Sequence, residues 1–147
     1  MKKYKVGYTT GVFDLFHVGH LRILKRAKEQ CDYLIVGVST DEVVEAYKNK
    51  KPIITYEERK EIISAIKYVD EVVPQVTMDK MEAWQSLHFD ALFHGDDWKG
   101  SDLYSKYIEQ FKTVGVDVVF LSHTQGISTT KIVETIQEKE QQFLKQA

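Results

Sequence analysis

Tyr4-Lys5-Val6-Gly7-Tyr8-Thr9-Thr10-Gly11-Val12-Phe13-Asp14-Leu15-Phe16-His17-Val18-Gly19-His20 decides the architecture. Tyr4 to Thr9 is an apolar run of strand length, and the polar, glycine-bearing loop after it leads to Leu21, Leu24 and Ala27 at helical spacing, with Arg22, Lys25, Arg26 and Lys28 between them. The unit is strand, loop, amphipathic helix. Outward from it the alternation repeats. Asp32 to Val38 is nearly continuous in apolar residues, as a strand covered on both faces must be. Ser39-Thr40-Asp41 caps a short helix. Thr55-Tyr56-Glu57-Glu58 has the Thr-x-x-Glu spacing of a capping box, so a helix begins at Tyr56 and turns Ile62, Ile63 and Ile66 inward. A third strand is expected over Tyr68 to Val73, stopped by Pro74, then a helix over Met78 to Leu87 and a fourth strand at Ala91-Leu92-Phe93. A helix from Asp102 to Thr113, a strand from Val116 to Leu121 and a helix from Ser128 to Phe143 complete the series. This order predicts an α/β fold, a Rossmann-like doubly wound parallel sheet of about five strands with helices on both faces. Short connections and the absence of repeats predict a single domain over residues 1–147.

Lys and Arg number 20 against 22 Asp and Glu in 147 residues, a formal charge of −2. That balance supplies no global field to hold the chain on nucleic acid or an acidic membrane, so any phosphate it binds must meet a local site. With 43 % hydrophobic and 29 % charged residues, the composition is that of an ordinary globular domain and excludes a disordered chain. Cys31 is the single cysteine and cannot form an internal disulfide, and no apolar run reaches signal-peptide or membrane-spanning length, so a cytoplasmic location is expected.

In such a sheet the ligand site lies outside the carboxyl ends of the strands. Four segments meet that edge: Thr10 to His20, Ser39 to Asp41 with the basic run Lys48-Asn49-Lys50-Lys51 beyond it, His94-Gly95-Asp96-Asp97-Trp98, and Ser122 to Thr130. His17 and His20 stand three apart around Gly19, so both imidazoles fall on one side of a helix's first turn. A helix N-terminus is an anion site, and two ring N–H donors aimed at the same oxygens suit phosphate. A metal reading is weaker, because no third ligand stands at helical spacing. Ser128 explains itself as an N-cap, but Ser128, Thr129 and Thr130 together suggest a second phosphate cradle. Two such cradles facing each other point to a nucleoside triphosphate.

Gly11 to His20 resembles the His-x-Gly-His signature of the nucleotidyltransferase superfamily, and Gly126-Ile127-Ser128-Thr129-Thr130-Lys131-Ile132 is similar to the second signature of its cytidylyltransferase branch, the glycerol-3-phosphate type most of all. The likeness runs from residue 4 to about 136 through Ser39-Thr40-Asp41-Glu42, Tyr56-Glu57 with Arg59-Lys60, Tyr68-Val69-Asp70-Glu71-Val72 and Gly95-Asp96-Asp97-Trp98. It implies transfer of CMP from CTP to a phosphorylated alcohol with release of pyrophosphate, Mg2+ accompanying the CTP, a homodimer, and a role in cell-wall or polysaccharide precursors. It further implies that His17, His20, Lys48 and Lys50 are catalytic. Thr10, Gly11, Val12, Phe13, Asp14, Asp96, His123, Thr124, Gly126, Ile127, Ser128 and Thr129 would line the nucleotide, with Asp14 orienting its loop. Asp41, Arg59, Lys67 and Asp70 would face the acceptor, and no metal ligand is assigned to a side chain. Lys67 and His123 stand where the family usually has arginine, so His123 is expected to need protonation to do an arginine's work. An adenylyltransferase acting on a flavin or pantetheine phosphate, and a non-catalytic nucleotide-binding paralogue, are the competing readings.

Overall fold

The computed structural model describes residues 2–96 and 99–146. Strands β1 (Tyr4–Gly11), β2 (Cys31–Ser39), β3 (Glu71–Gln75), β4 (Ala91–Gly95) and β5 (Asp117–Leu121) alternate with helices α1 (Val18–Gln30), α2 (Asp41–Lys48), α3 (Tyr56–Ser64), α4 (Lys80–Leu87), α5 (Asp102–Lys112) and α6 (Thr129–Gln146). All pairings are parallel and the sheet order is β3-β2-β1-β4-β5. The expected doubly wound α/β fold is therefore the one observed.

Burial follows the strand period. One face carries Leu34, Val36, Val38 and Phe93 against Leu24 and Ala27 of α1 and Ile63 of α3. The other carries Tyr8, Ile35 and Leu92 with Phe89 against Tyr104 and Phe111 of α5. Gly7 sits where β1 crosses the first core, and a Cβ there would stand 2.5 Å from the Phe93 ring and 2.8 Å from the Cys31 sulfur. None of the helices among the described residues is long and apolar enough to cross a membrane.

The third strand departs from expectation. It begins at Glu71 and runs through Pro74 to Gln75, with Val38 opposite Pro74. Because β3 lies at the edge of the sheet, a residue without an N–H can sit in it, and proline does not end it. Residues 66–69 instead form a turn closed by Val69 N–H donating to the Ile66 carbonyl at 3.0 Å. Thr55 caps α3 as expected, its hydroxyl accepting from Glu58 N.

From β1 the chain winds outward through β2 to β3, then returns to the other side of β1 for β4 and β5. The crevice opened at that reversal, above the carboxyl ends of β1 and β4, is where a sheet of this type binds its ligand.

Candidate functional site

A recess opens at that crevice, lined among others by Thr9, Thr10, Val12, Phe13, His20 and His94. Its rim is the β1–α1 loop, where Phe13 (φ 57°) and Leu15 (φ 50°) both adopt the left-handed backbone that side chains disfavour. The loop is held there from outside. Asp14 accepts from the backbone N–H of Ile53 and of Ile54, each at 2.8 Å, and its carbonyl accepts from the Thr129 hydroxyl at 2.7 Å. Asp14 thus orients the loop, joining it to the segment beyond the lysine run and to the start of α6.

The two histidines form a reciprocal cap on α1. His17 Nδ1 accepts from Gly19 N at 3.0 Å, and His20 Nδ1 accepts from His17 N at 3.3 Å. A ring that accepts at Nδ1 carries its proton at Nε2 when neutral, so the cap fixes the tautomer of both. The rings stack with centroids 3.8 Å apart, and His17 Nε2 is a buried polar atom without a partner among the described residues. Both rings are neutral at physiological pH: burial lowers the pKa of His17, and burial followed by the neighbouring His17 brings His20 down to about 3. In that form each ring presents an N–H at Nε2. Gly19 is required for this geometry, since a Cβ there would stand 2.8 Å from His17 Cε1 and 2.9 Å from its Nδ1.

The start of α6 meets the start of α1. Ile127 lies 3.4 Å from the Cβ position of Gly19, and Gly126 turns the chain with φ 78°. Ser128 Oγ accepts from Lys131 N at 3.0 Å, the ordinary N-cap bond, and the Thr129 hydroxyl proton goes to Asp14. Both hydroxyls are engaged by the protein's own backbone. The donors left to an anion are the N–H groups of the first turn of α6.

His123 Nδ1 lies 2.6 Å from Asp96 Oδ1, and this hydrogen bond is the main reason the Asp96 carboxyl is held below its usual pKa. His123 thus faces the Asp96 carboxylate across the loop, a pairing that the arginine comparison did not foresee. Arg22 reaches Thr124 at 3.5 Å and Arg26 donates to the Ser122 carbonyl, so two of the cations interspersed along the amphipathic α1 hold the β5–α6 loop. Asp97 and Trp98 lie outside the described residues.

Lys48 closes α2, and Asn49 (φ 56°) turns the chain toward Lys50. Burial first and Lys50 second lower the Lys48 pKa, while the Asp14 carboxylate opposes them.

The residues expected on the acceptor side do not converge. Arg59 is 1 % exposed, and its guanidinium is already engaged. Nε donates to Ile54 O at 2.9 Å, Nη1 to Val12 O at 2.8 Å and Ser39 O at 2.7 Å, and Nη2 to Asp41 Oδ1 at 2.6 Å. Asp41 also accepts from Tyr56 N at 3.3 Å. The pair ties together the ends of β1 and β2 and the start of α3, and an anion finds no open fork on Arg59. Asp70 precedes β3 at the opposite edge of the sheet, where it accepts from Leu34 N at 2.7 Å and pairs with Lys28 at 2.5 Å. Lys67 lies before that same strand, with its ammonium 5.3 Å from the Tyr68 ring. Neither reaches the recess of its own chain.

Lys80 was not anticipated from the sequence. It is the first residue of α4, 4 % exposed, and its Nζ donates to the Thr10 hydroxyl at 2.7 Å. The available signal was its position, because a lysine at a helix N-terminus opposes the macrodipole.

A family model described as cytidylyltransferase-like matches residues 8–135. The chain belongs to this family. This cytidylyltransferase-like protein is 44 % identical over 129 residues to the glycerol-3-phosphate cytidylyltransferase of Bacillus subtilis (strain 168), covering 87 % of this chain and 94 % of that one. It is 38 % identical over 133 residues to the enzyme of the same name from Staphylococcus aureus (strain NCTC 8325 / PS 47), covering 90 % and 95 %. Among solved structures, the lipopolysaccharide core biosynthesis protein from Thermoplasma volcanium GSS1 superposes with a TM-score of 0.72 at 28 % identity, over 83 % of this chain and 99 % of that one. The cytidylyltransferase-like domain thus shares the fold of that solved structure.

Proposed function

We propose that this protein transfers CMP from CTP to glycerol 3-phosphate, releasing pyrophosphate. The observation that carries the reading is the reciprocal histidine cap, which leaves two neutral Nε2–H donors at the start of α1 beside the start of α6. An oxygen of the acceptor phosphate attacks the α-phosphorus of CTP in line. The new P–O bond forms as the bond to the β-phosphate oxygen breaks, and the electron pair leaves with pyrophosphate. Nothing becomes covalently attached to the protein, so its work is to position the reactants and stabilise charge that grows on the equatorial and leaving oxygens. His17 and His20 donate to those oxygens, the first turns of α1 and α6 add N–H groups, and Lys48 and Lys50 bring mobile positive charge to the triphosphate.

Neutral histidines match this task, since each ring offers its Nε2–H as a hydrogen-bond donor and the transfer needs no proton moved to or from it. Among the described residues no cluster of three or more His, Cys, Asp or Glu side chains gathers. The described side chains therefore do not outline a magnesium site, and Mg2+ is proposed only as a companion of CTP, held by phosphate oxygens. The similarity to the Bacillus and Staphylococcus proteins supports CTP and glycerol 3-phosphate over ATP with a flavin or pantetheine acceptor. We further propose a homodimer acting in the cytoplasm on a cell-wall precursor, without nucleic acid.

The test is pyrophosphate release with CTP or ATP, each crossed against glycerol 3-phosphate, ribitol 5-phosphate, choline phosphate and FMN. Turnover with CTP and glycerol 3-phosphate is expected. Turnover with ATP and FMN, or binding of CTP with no turnover on any acceptor, overturns the proposal.

A further inference from the structure

Strand β5 closes one side of the sheet, and no strand among the described residues pairs with its outer edge. Its sequence, Asp117-Val118-Val119-Phe120-Leu121, places three half-exposed apolar side chains in the middle of that edge and holds neither the proline nor the lysine that would deter pairing. The one acidic side chain, Asp117, already accepts from the Tyr4 hydroxyl at 2.7 Å. A groove follows the edge, with Tyr4 and Val119 on one face of the sheet and Val118, Phe120 and Ile108 of α5 on the other. Ile108 is 42 % exposed on a helix whose Tyr104 and Phe111 are core residues. On the opposite face α6 lacks cover. It opens beside the β1–α1 loop, with Thr129 bonded to Asp14, and buries none of its residues. Its 18 residues span about 27 Å, against about 17 Å for the five of β5, so the helix outruns the strand it follows. An apolar stripe of Ile132, Val133, Ile136 and Phe143 continues over that length, with Ile136 59 % and Phe143 71 % exposed.

These open surfaces match one another. Laid antiparallel against a copy of itself about Val119, β5 sets Val118 against the partner's Phe120 and Val119 against the partner's Val119, so each of these pairs is apolar. The same two-fold sets α5 antiparallel to its copy. Ser105 and Lys112 stand three before and four after Ile108, on the stripe that faces the groove. Ile108 then falls opposite the partner's Ser105, a small side chain that leaves room for it, and Lys112 at the end of α5 meets the partner's Asp102 at the start of α5. An unrelated strand would satisfy the backbone of the edge but not these helix contacts. On the α6 side, the copy's sheet supplies a floor for the stripe that outruns β5. We propose that a second copy of this chain docks antiparallel along β5, joining two five-stranded sheets into one of ten strands about a two-fold axis. The axis lies at the margin of the sheet, away from the recess above β1 and β4, so both recesses stay open. The inference gives the homodimer proposed above its interface and rests on that part of the reading, not on the identity of the substrates.

Ile108→Lys and Val119→Lys each place like charges on both sides of the axis, the first at an exposed helix position that the fold of one copy does not depend on. Sedimentation velocity of the wild type should give a dimer whose mass stops growing as concentration is raised further. Ile108→Lys should raise the dissociation constant about 100-fold, because each of the two copies contributes about tenfold, and Val119→Lys should act in the same direction. A second measurement needs no variant. Amide hydrogen exchange of the wild type should slow in β5 as concentration is raised through the dimer's dissociation constant, while β3 stays unchanged. A wild-type dimer that Ile108→Lys leaves intact, or protection gained in β3 in place of β5, overturns the β5 interface and leaves the homodimer reading standing. A wild type that is monomeric at every concentration overturns both and leaves the groove to a different partner. Association that continues past two copies overturns the closed two-fold. Pyrophosphate release from CTP and glycerol 3-phosphate is decided separately, so failure of the interface and failure of the transfer reading are distinct results.

Discussion

Replacing Arg59 with methionine separates a structural arginine from a ligand-binding one. The guanidinium makes four hydrogen bonds, three to backbone carbonyls and one to the Asp41 carboxylate at 2.6 Å. Taken singly, hydrogen bonds to a charged group contribute about 1.5–3 kcal/mol each, but their sum overshoots because the bonds share one side chain and water can reach part of what is exposed. Removing one member of a buried ion pair costs about 3–5 kcal/mol, and that is the magnitude expected here. Asp41, with its side chain 37 % exposed, recovers some solvation, which favours the lower half of the range. Against a total stability of about 5–15 kcal/mol the loss is large, and at about 2–4 °C per kcal/mol it should lower the melting temperature by roughly 6–20 °C. Urea unfolding followed by far-UV circular dichroism measures it directly. For whatever fraction remains folded, KM for glycerol 3-phosphate should stay close to wild type. A variant destabilised by less than about 1 kcal/mol whose acceptor KM rises about tenfold would return Arg59 to the phosphate and refute the structural assignment.

Gly19→Ala should leave stability nearly unchanged, because alanine gains about 1 kcal/mol of helix propensity while its Cβ displaces the His17 ring. Its kcat should fall on the order of 10²-fold, as for a donor misplaced by about 1 Å, and full activity would remove His17 from the chemistry. The His20 imidazole, held near 3 against an ordinary 6.5, is protonated in the unfolded chain well before the folded one. Stability should therefore be fully present above about pH 6.5 and decline as pH falls toward 3, by up to about 1.4 kcal/mol per unit. His20→Gln retains a residue able to complete the α1 cap and should flatten that decline between about pH 6.5 and pH 5 in urea titrations. An unaltered slope would show that His20 is not its source.

Thr55 was legible as a helix start because its hydroxyl acts within one turn, and the strand-helix alternation was legible because burial on two faces leaves a continuous apolar run. Pro74 misled because proline's missing N–H matters only where a neighbouring strand needs it, and sheet order cannot be seen from within the strand. His17 and His20 announced a shared side of a helix, but not that they cap each other, since histidine seldom serves at either capping position. Arg59 sits among Glu57, Glu58, Lys60 and Glu61, so local pattern gave no hint of burial; only the convergence of Val12, Ser39 and Ile54 carbonyls creates its pocket. Asp70 and Lys67 share a motif with functional residues, yet the motif does not say which end of the sheet it occupies. Lys80 was detectable by the sign of its charge at a helix start, a weaker cue than any motif.

The edge position of Pro74 bears on how copies of this chain can meet. Open sheet margins invite strand-by-strand growth between molecules, the route to ribbons and insoluble fibres. At Pro74 an incoming strand finds no amide hydrogen to accept, and the short β3 on either side offers few other rungs. The sheet is thereby blunted on its β3 side, which disfavours strand-by-strand growth there and leaves contact through side chains as the easier way for two copies to meet.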